Sequence, residues 1–210
     1  MNKARFIVTG TALAGLIALA GCASNSGSDS MPGMDHGQPT ASASPSAGSA
    51  SSDSAASAHN DADTMFAQMM IPHHAQAVEM SDAILAKKDI PPAVAALAVQ
   101  IKAAQAPEIE KMTRWLKGWN EPTMGSSPHS GHSMDGMLSD AELQKLSDAQ
   151  GTEAARLYLA QMIAHHEGAV AMAKTEISEG KNPEAVQLGK DIVAAQEKEI
   201  QDMKALLAGL

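Results

Sequence analysis

The chain has 210 residues, a formal net charge of −9, 14 methionines, one cysteine and 2% aromatic residues. The negative balance leaves no basic patch to neutralise phosphates, which excludes a nucleic-acid binder, and a lone cysteine excludes an intrachain disulfide. With so few aromatics, a core must be filled by Ala, Leu, Ile, Val and Met, which favours closely packed helices.

The chain opens as an export signal does. Lys3 and Arg5 form a positive n-region, residues 6–20 an apolar stretch too short for a comfortable bilayer span, and Leu19-Ala20-Gly21-Cys22 a small-residue cleavage site. The last four resemble a bacterial lipobox, so residues 1–21 are expected to be removed and Cys22 to become the lipidated first residue. The mature protein is then an extracytoplasmic, membrane-anchored lipoprotein, at the cell surface or in the periplasm. Residues 22–60 are mostly Ser, Ala, Gly, Pro and Asp. They cannot bury enough apolar surface to offset their ordering entropy and read as a tether. A loop of similar character at 120–138 interrupts the folded part, 61–210.

The first helix is predicted over 61–88, with Asp61, Asp63 and Thr64 as capping candidates. Pro72 either bends this helix or, if the helix starts late, occupies its first turn. Ile90-Pro91-Pro92 breaks the chain, and Pro92 suits the first turn of a second helix running to about Lys117, with a kink expected at Pro107. Ser139-x-x-Glu142 is a capping box for a short helix that Gly151 is expected to end. A third long helix follows over 152–179, then a turn at Gly180-Lys181-Asn182-Pro183, then a fourth to about Ala208.

These helices are two copies of one hairpin. Phe66-x3-Met70-Ile71-x-His73-His74-x2-Ala77-Val78-x-Met80 recurs as Tyr158-x3-Met162-Ile163-x-His165-His166-x2-Ala169-Val170-x-Met172. Ile101-x2-Ala104-Gln105-x2-Glu108-Ile109-x2-Met112 recurs as Ile192-x2-Ala195-Gln196-x2-Glu199-Ile200-x2-Met203. Short turns make each pair antiparallel. The fold class is therefore all-α, a four-helix bundle of two repeated hairpins about a pseudo-twofold axis.

On a helical wheel His73 lies near the middle of the first helix's apolar stripe and His74 on its flank, while Glu108 centres the apolar face of the second. The second copy repeats this with His165, His166 and Glu199. A carboxylate aimed into a bundle core is costly unless paired, protonated or ligated. Two are placed there with imidazoles and thioethers nearby. A buried His–Glu/Gln network that fixes register, with Met as filler, accounts for the same residues. The loops tip the balance. Met31, Met34 and His36 sit in the first, and Met124, His129, His132, Met134 and Met137 in the second. Methionine has no packing role in a solvated Gly/Ser strand. Beside His it offers donors that suit Cu(I), and with His also Cu(II), so these residues are candidates for linker capture of metal.

The paired motifs resemble the bacterial family catalogued as domain of unknown function 305, over about residues 61–208. That resemblance implies a ferritin-like bundle in secreted or anchored proteins, some of them associated with extracytoplasmic copper binding and tolerance. It places the motif on Met70, His73, His74 and Met80, then Gln105, Glu108 and Met112. The second set is Met162, His165, His166 and Met172, then Gln196, Glu199 and Met203. The acidic residue before the aromatic is Asp63 in the first copy, but Ala155 stands at the matching place in the second.

The favoured expectation is a non-enzymatic copper-binding lipoprotein, for sequestration or tolerance, with the His, Met and Glu residues of both sets as its metal site. Two alternatives stay open: a metal-free interaction module, and a di-iron or di-manganese carboxylate oxidase. The oxidase lacks its Glu-x-x-His motif here. Nucleophilic hydrolysis has no Gly-x-Ser-x-Gly elbow to support it.

Overall fold

The computed structural model describes residues 58–123 and 135–210. The expectations for the export signal, Cys22, the cluster of Met31, Met34 and His36, and the loop residues Met124, His129, His132 and Met134 lie outside these residues. Among the described residues there are five helices and no strands: α1 Asp61–Leu85, α2 Pro92–Trp119, α3 Asp140–Asp148, α4 Gly151–Glu179 and α5 Pro183–Gly209.

The N-cap of α1 is Asn60, a residue earlier than the candidates read from the sequence. Its side chain accepts from Asp63 N at 3.0 Å, and the Asp63 carboxylate returns a bond to Asn60 N at 2.7 Å. This is a capping box written Asn-x-x-Asp. The helix runs unbroken through Pro72, which removes the late start. It stops at Leu85, short of the expected Lys88, and Asp89 then takes a left-handed conformation, φ 59. Asn120, also left-handed, closes α2 with its N–H on the Leu116 and Lys117 carbonyls.

The Ser139–Glu142 box starts α3 as expected. However, α3 ends at Asp148, and Gly151 is the first residue of α4 rather than the stop of α3. Its positive φ of 55 turns the chain into the new helix.

Helix α1 packs on α2 and α4 on α5, and the hairpins join where α1 meets α4. The short α3 leans on both of these helices. Two apolar lobes result, related by the internal twofold. One holds Phe66, Met70, Met112 and Leu116 with Ala169 and Ile192. The other holds Tyr158, Leu159, Met162 and Met203 with Ala77 and Ile101, and is enlarged by Leu138 and Leu146. Ser81 Oγ and Tyr158 Oη add a buried cross-hairpin hydrogen bond of 3.1 Å.

Asp63 also bridges to the far hairpin. Its carboxylate accepts Lys181 N at 3.0 Å and Asn182 N at 2.9 Å, tying the start of α1 to the α4–α5 turn. Beside it lies Glu176, 1% exposed, whose carboxyl fills the space next to Gly180 and has no ordinary donor. Burial first, and then the Asp63 carboxylate, push the Glu176 carboxyl from 4.5 up to about 8. Between those values the folded chain holds a proton that the unfolded chain has released. The stabilising contribution of this protonated carboxyl should therefore be full at and below pH 4.5 and fall as pH rises to 8, by at most about 1.4 kcal/mol per unit. In Glu176→Gln an amide replaces the carboxyl and this falling contribution is lost, so the variant should gain stability on the parent as pH rises through this window. Stability at pH 8 should rise by on the order of 2 kcal/mol. Urea unfolding at pH 5 and pH 8 measures both, and an unaltered slope would mean that Glu176 ionises normally in the fold.

Candidate metal centre

Successive residues of an α-helix point about 100° apart. The two members of each His-His pair consequently face different neighbours. His73 and His165 point across the α1–α4 junction at each other, with ring centroids 3.7 Å apart and planes at 40°. His74 turns back to its own hairpin, where Nε2 meets Glu108 Oε2 at 2.7 Å. His166 does the same with Glu199 Oε2, at 2.9 Å. The layer thus reads Glu108–His74, His73–His165, His166–Glu199, and it lies between the two apolar lobes.

All four imidazoles are within 1% of complete burial, whereas the halves differ at their acids. The Glu108 side chain is 24% exposed and that of Glu199 7%. Gln100 Nε2 reaches Glu199 Oε1 at 3.5 Å from the other hairpin. Desolvation, followed by the field of His74, lowers the His73 imidazole from 6.5 to about 3. For His165 desolvation, then His73, lowers it to about 2. Both rings are therefore neutral at physiological pH and keep a lone pair on one nitrogen.

Those nitrogens are unspent. No ring nitrogen of His73 or His165 makes a well-formed hydrogen bond, although the Asp135 backbone faces His73 and the His73 backbone faces His165; Nδ1 of His74 and of His166 lacks a partner. Gln105, buried beside the layer, leaves both amide atoms unpartnered. Buried polar atoms are almost always satisfied, so a cluster of this size is the feature to be explained. Neutral imidazole nitrogens of this kind suit copper, which accepts nitrogen and thioether donors. Among the described residues, though, no three His, Cys, Asp or Glu side chains converge as a ready coordination sphere.

The methionines of the expected site are divided between the lobes rather than gathered on the layer. Met70 and Met112 lie in one; Met80, Met162 and Met203 lie in the other; all five are fully buried. Met172 is partly buried against the first lobe. Met137 is partly buried on the segment entering α3. Sequence reasoning missed Gln76, whose amide both accepts Leu138 N at 2.8 Å and donates to Leu138 O at 3.0 Å. It also missed Gly168. Both hold the chain that arrives from the Met/His-rich loop.

Fold and layer together define a duplicated helical-hairpin bundle with a neutral imidazole pair on its internal axis and a His–Glu pair on either side. The chain belongs to the family described as Domain of unknown function (DUF305), whose profile matches residues 63–207. It is similar to a solved DUF305 protein of Streptomyces coelicolor, with 38% identity, a TM-score of 0.66, and coverage of 70% of this chain and 91% of that one. A DUF305 fragment from Deinococcus radiodurans is 32% identical, with a TM-score of 0.65 over 72% of this chain and 98% of its own. CopM in its Cu(II)-bound form is 34% identical, with a TM-score of 0.61 over 70% of this chain and 96% of its own, and CopM has also been solved with Cu(I) and with silver. No curated protein matches the chain. No helix of the described residues is long and apolar enough to cross a membrane.

Proposed function

We propose that this protein binds copper outside the cytoplasm and sequesters or relays it in copper tolerance, without catalysing a reaction. The carrying observation is the His73–His165 pair: two buried neutral imidazoles in contact, with no well-formed hydrogen bond on any ring nitrogen. Glu108 and Glu199 act on the neighbouring rings, fixing His74 and His166 by Nε2 and leaving Nδ1 buried without a partner. Similarity to CopM, solved with Cu(I), Cu(II) and silver, supports the choice of metal. The Streptomyces coelicolor relative carries the designation of a secreted protein, which supports an extracytoplasmic location. Anchoring through Cys22 completes the reading, with the Met/His linkers capturing ions and the core pair holding them.

A metal-free packing module is the second reading, favoured by the closed His74–Glu108 and His166–Glu199 pairs and the absence of a three-group cluster among the described residues. One measurement separates the two. In a chain lacking residues 23–57 and 124–134, His73→Ala combined with His165→Ala should lower the Cu(I) bound per chain. Unchanged stoichiometry would overturn the core site.

A further inference from the structure

Gln76 and Gly168 occupy the same place in the two copies of the hairpin, three residues after His73 and His165 respectively. The repeat matches closely around them, yet here it holds the longest uncharged amide on one side and no side chain on the other. Both face the segment 135–138. Gln76 takes both the N–H and the carbonyl of Leu138, and Leu138 is itself buried in the core. Gly168 admits the Asp135 backbone so closely that a Cβ at position 168 would overlap the Asp135 carbonyl.

Gly136 packs against the backbone of α4. A Cβ there would come within 2.7 Å of Ala164 O and 3.0 Å of His165 O, and its φ of 86 suits glycine alone. The Asp135 backbone also faces His73 closely enough to oppose the lowering of its basicity as a hydrogen-bond acceptor does. The segment therefore crosses the α1–α4 junction at the level of the histidine pair.

We propose that residues 135–138 form a strap that walls the His73–His165 pair from solvent, and that Gln76 and Gly168 are positioning residues that seat it from the two hairpins. The duplication supplies a reason for the mismatch. A strap is a single asymmetric chain and cannot satisfy two identical grips, so one copy of the position became a backbone clasp and the other a bare notch. By covering the pair, the strap keeps water from the unspent nitrogens and slows the exchange of an ion held there. This second consequence rests on the copper reading above; the first does not.

Gly168→Ala is the decisive variant, because alanine is the better helix former and leaves α4 itself intact or strengthened. In the metal-free full chain, mass spectrometry after diethylpyrocarbonate treatment should find His73 and His165 modified at least about tenfold faster than in the parent. Gln76→Ala should act in the same direction, with helix content by circular dichroism unchanged in both. Transfer of Cu(I) from the loaded protein to a chromophoric chelator should quicken by a similar factor. Protection of both histidines equal to that of the parent in the two variants would overturn the strap. Faster modification with unchanged copper transfer would leave the wall standing and overturn only its role in exchange. Copper stoichiometry unchanged by loss of both histidines in the linker-deleted chain would instead remove the core copper site on which the second consequence rests.

Discussion

Asp63→Ala should cost about 4 kcal/mol, among the largest effects of any single substitution in this chain. The residue is fully buried, and its carboxylate accepts three backbone N–H groups, from Asn60, Lys181 and Asn182. Hydrogen bonds to an ionised acceptor contribute roughly 1.5–3 kcal/mol each, and a donor stranded in the interior adds its desolvation cost. Two of the three donors belong to the other hairpin, so the substitution also loosens the joint between hairpins. For a folded part of this size a fall in Tm of roughly 10 °C should follow, measurable by thermal unfolding. Asp63→Asn should recover only a fraction, because an amide offers one acceptor oxygen and turns an NH₂ toward like groups. A loss below about 1 kcal/mol in Asp63→Ala would mean that water replaces the carboxylate without penalty.

The same contact explains why the second copy has Ala155 where the first has Asp63. By the internal twofold, the residue matching Asn182 is Pro91, which has no N–H to offer. A buried carboxylate at 155 would face a turn with too few donors, so the acid vanished together with the need for it.

Much of the fold was legible because the hairpin is written twice, and period, turn and capping signals agreed in both copies. Boundaries failed where one residue type serves two ends. Gly151 reads as a stop but starts α4, and Asn60, rather than the acids that follow it, caps α1. At the site, the wheel placed His73, His165 and Glu199 on inner faces correctly, whereas Glu108, expected at the centre of its helix's apolar face, is a quarter exposed. It could not say that Glu108 meets His74 rather than His73, since a wheel gives a direction on one helix and not the neighbour standing in that direction. The strap left even less trace. Its grips are backbone atoms and the absence of a side chain, and its only mark in the sequence is the Gln76–Gly168 mismatch within matched repeats.

The His73–His165 pair should be a burden to the metal-free protein, and His73→Leu combined with His165→Leu should raise its stability by roughly 2–4 kcal/mol. Leucine has a volume close to that of histidine and needs no partner. The wild-type rings keep their nitrogens dehydrated and without well-formed hydrogen bonds, and each such group carries a desolvation penalty of about 1–3 kcal/mol. The rings already sit between apolar lobes, so two isobutyl groups meet compatible surfaces on either side. Chemical denaturation of the apo protein should move to higher midpoint with an unchanged slope, while Cu(I) binding by the linker-deleted chain falls. Opposite signs for stability and binding are the signature of a site kept for a ligand at the expense of the fold. If the leucine pair destabilises the apo protein by more than about 1 kcal/mol, the imidazoles are holding the helices together, and the packing reading of the layer takes precedence.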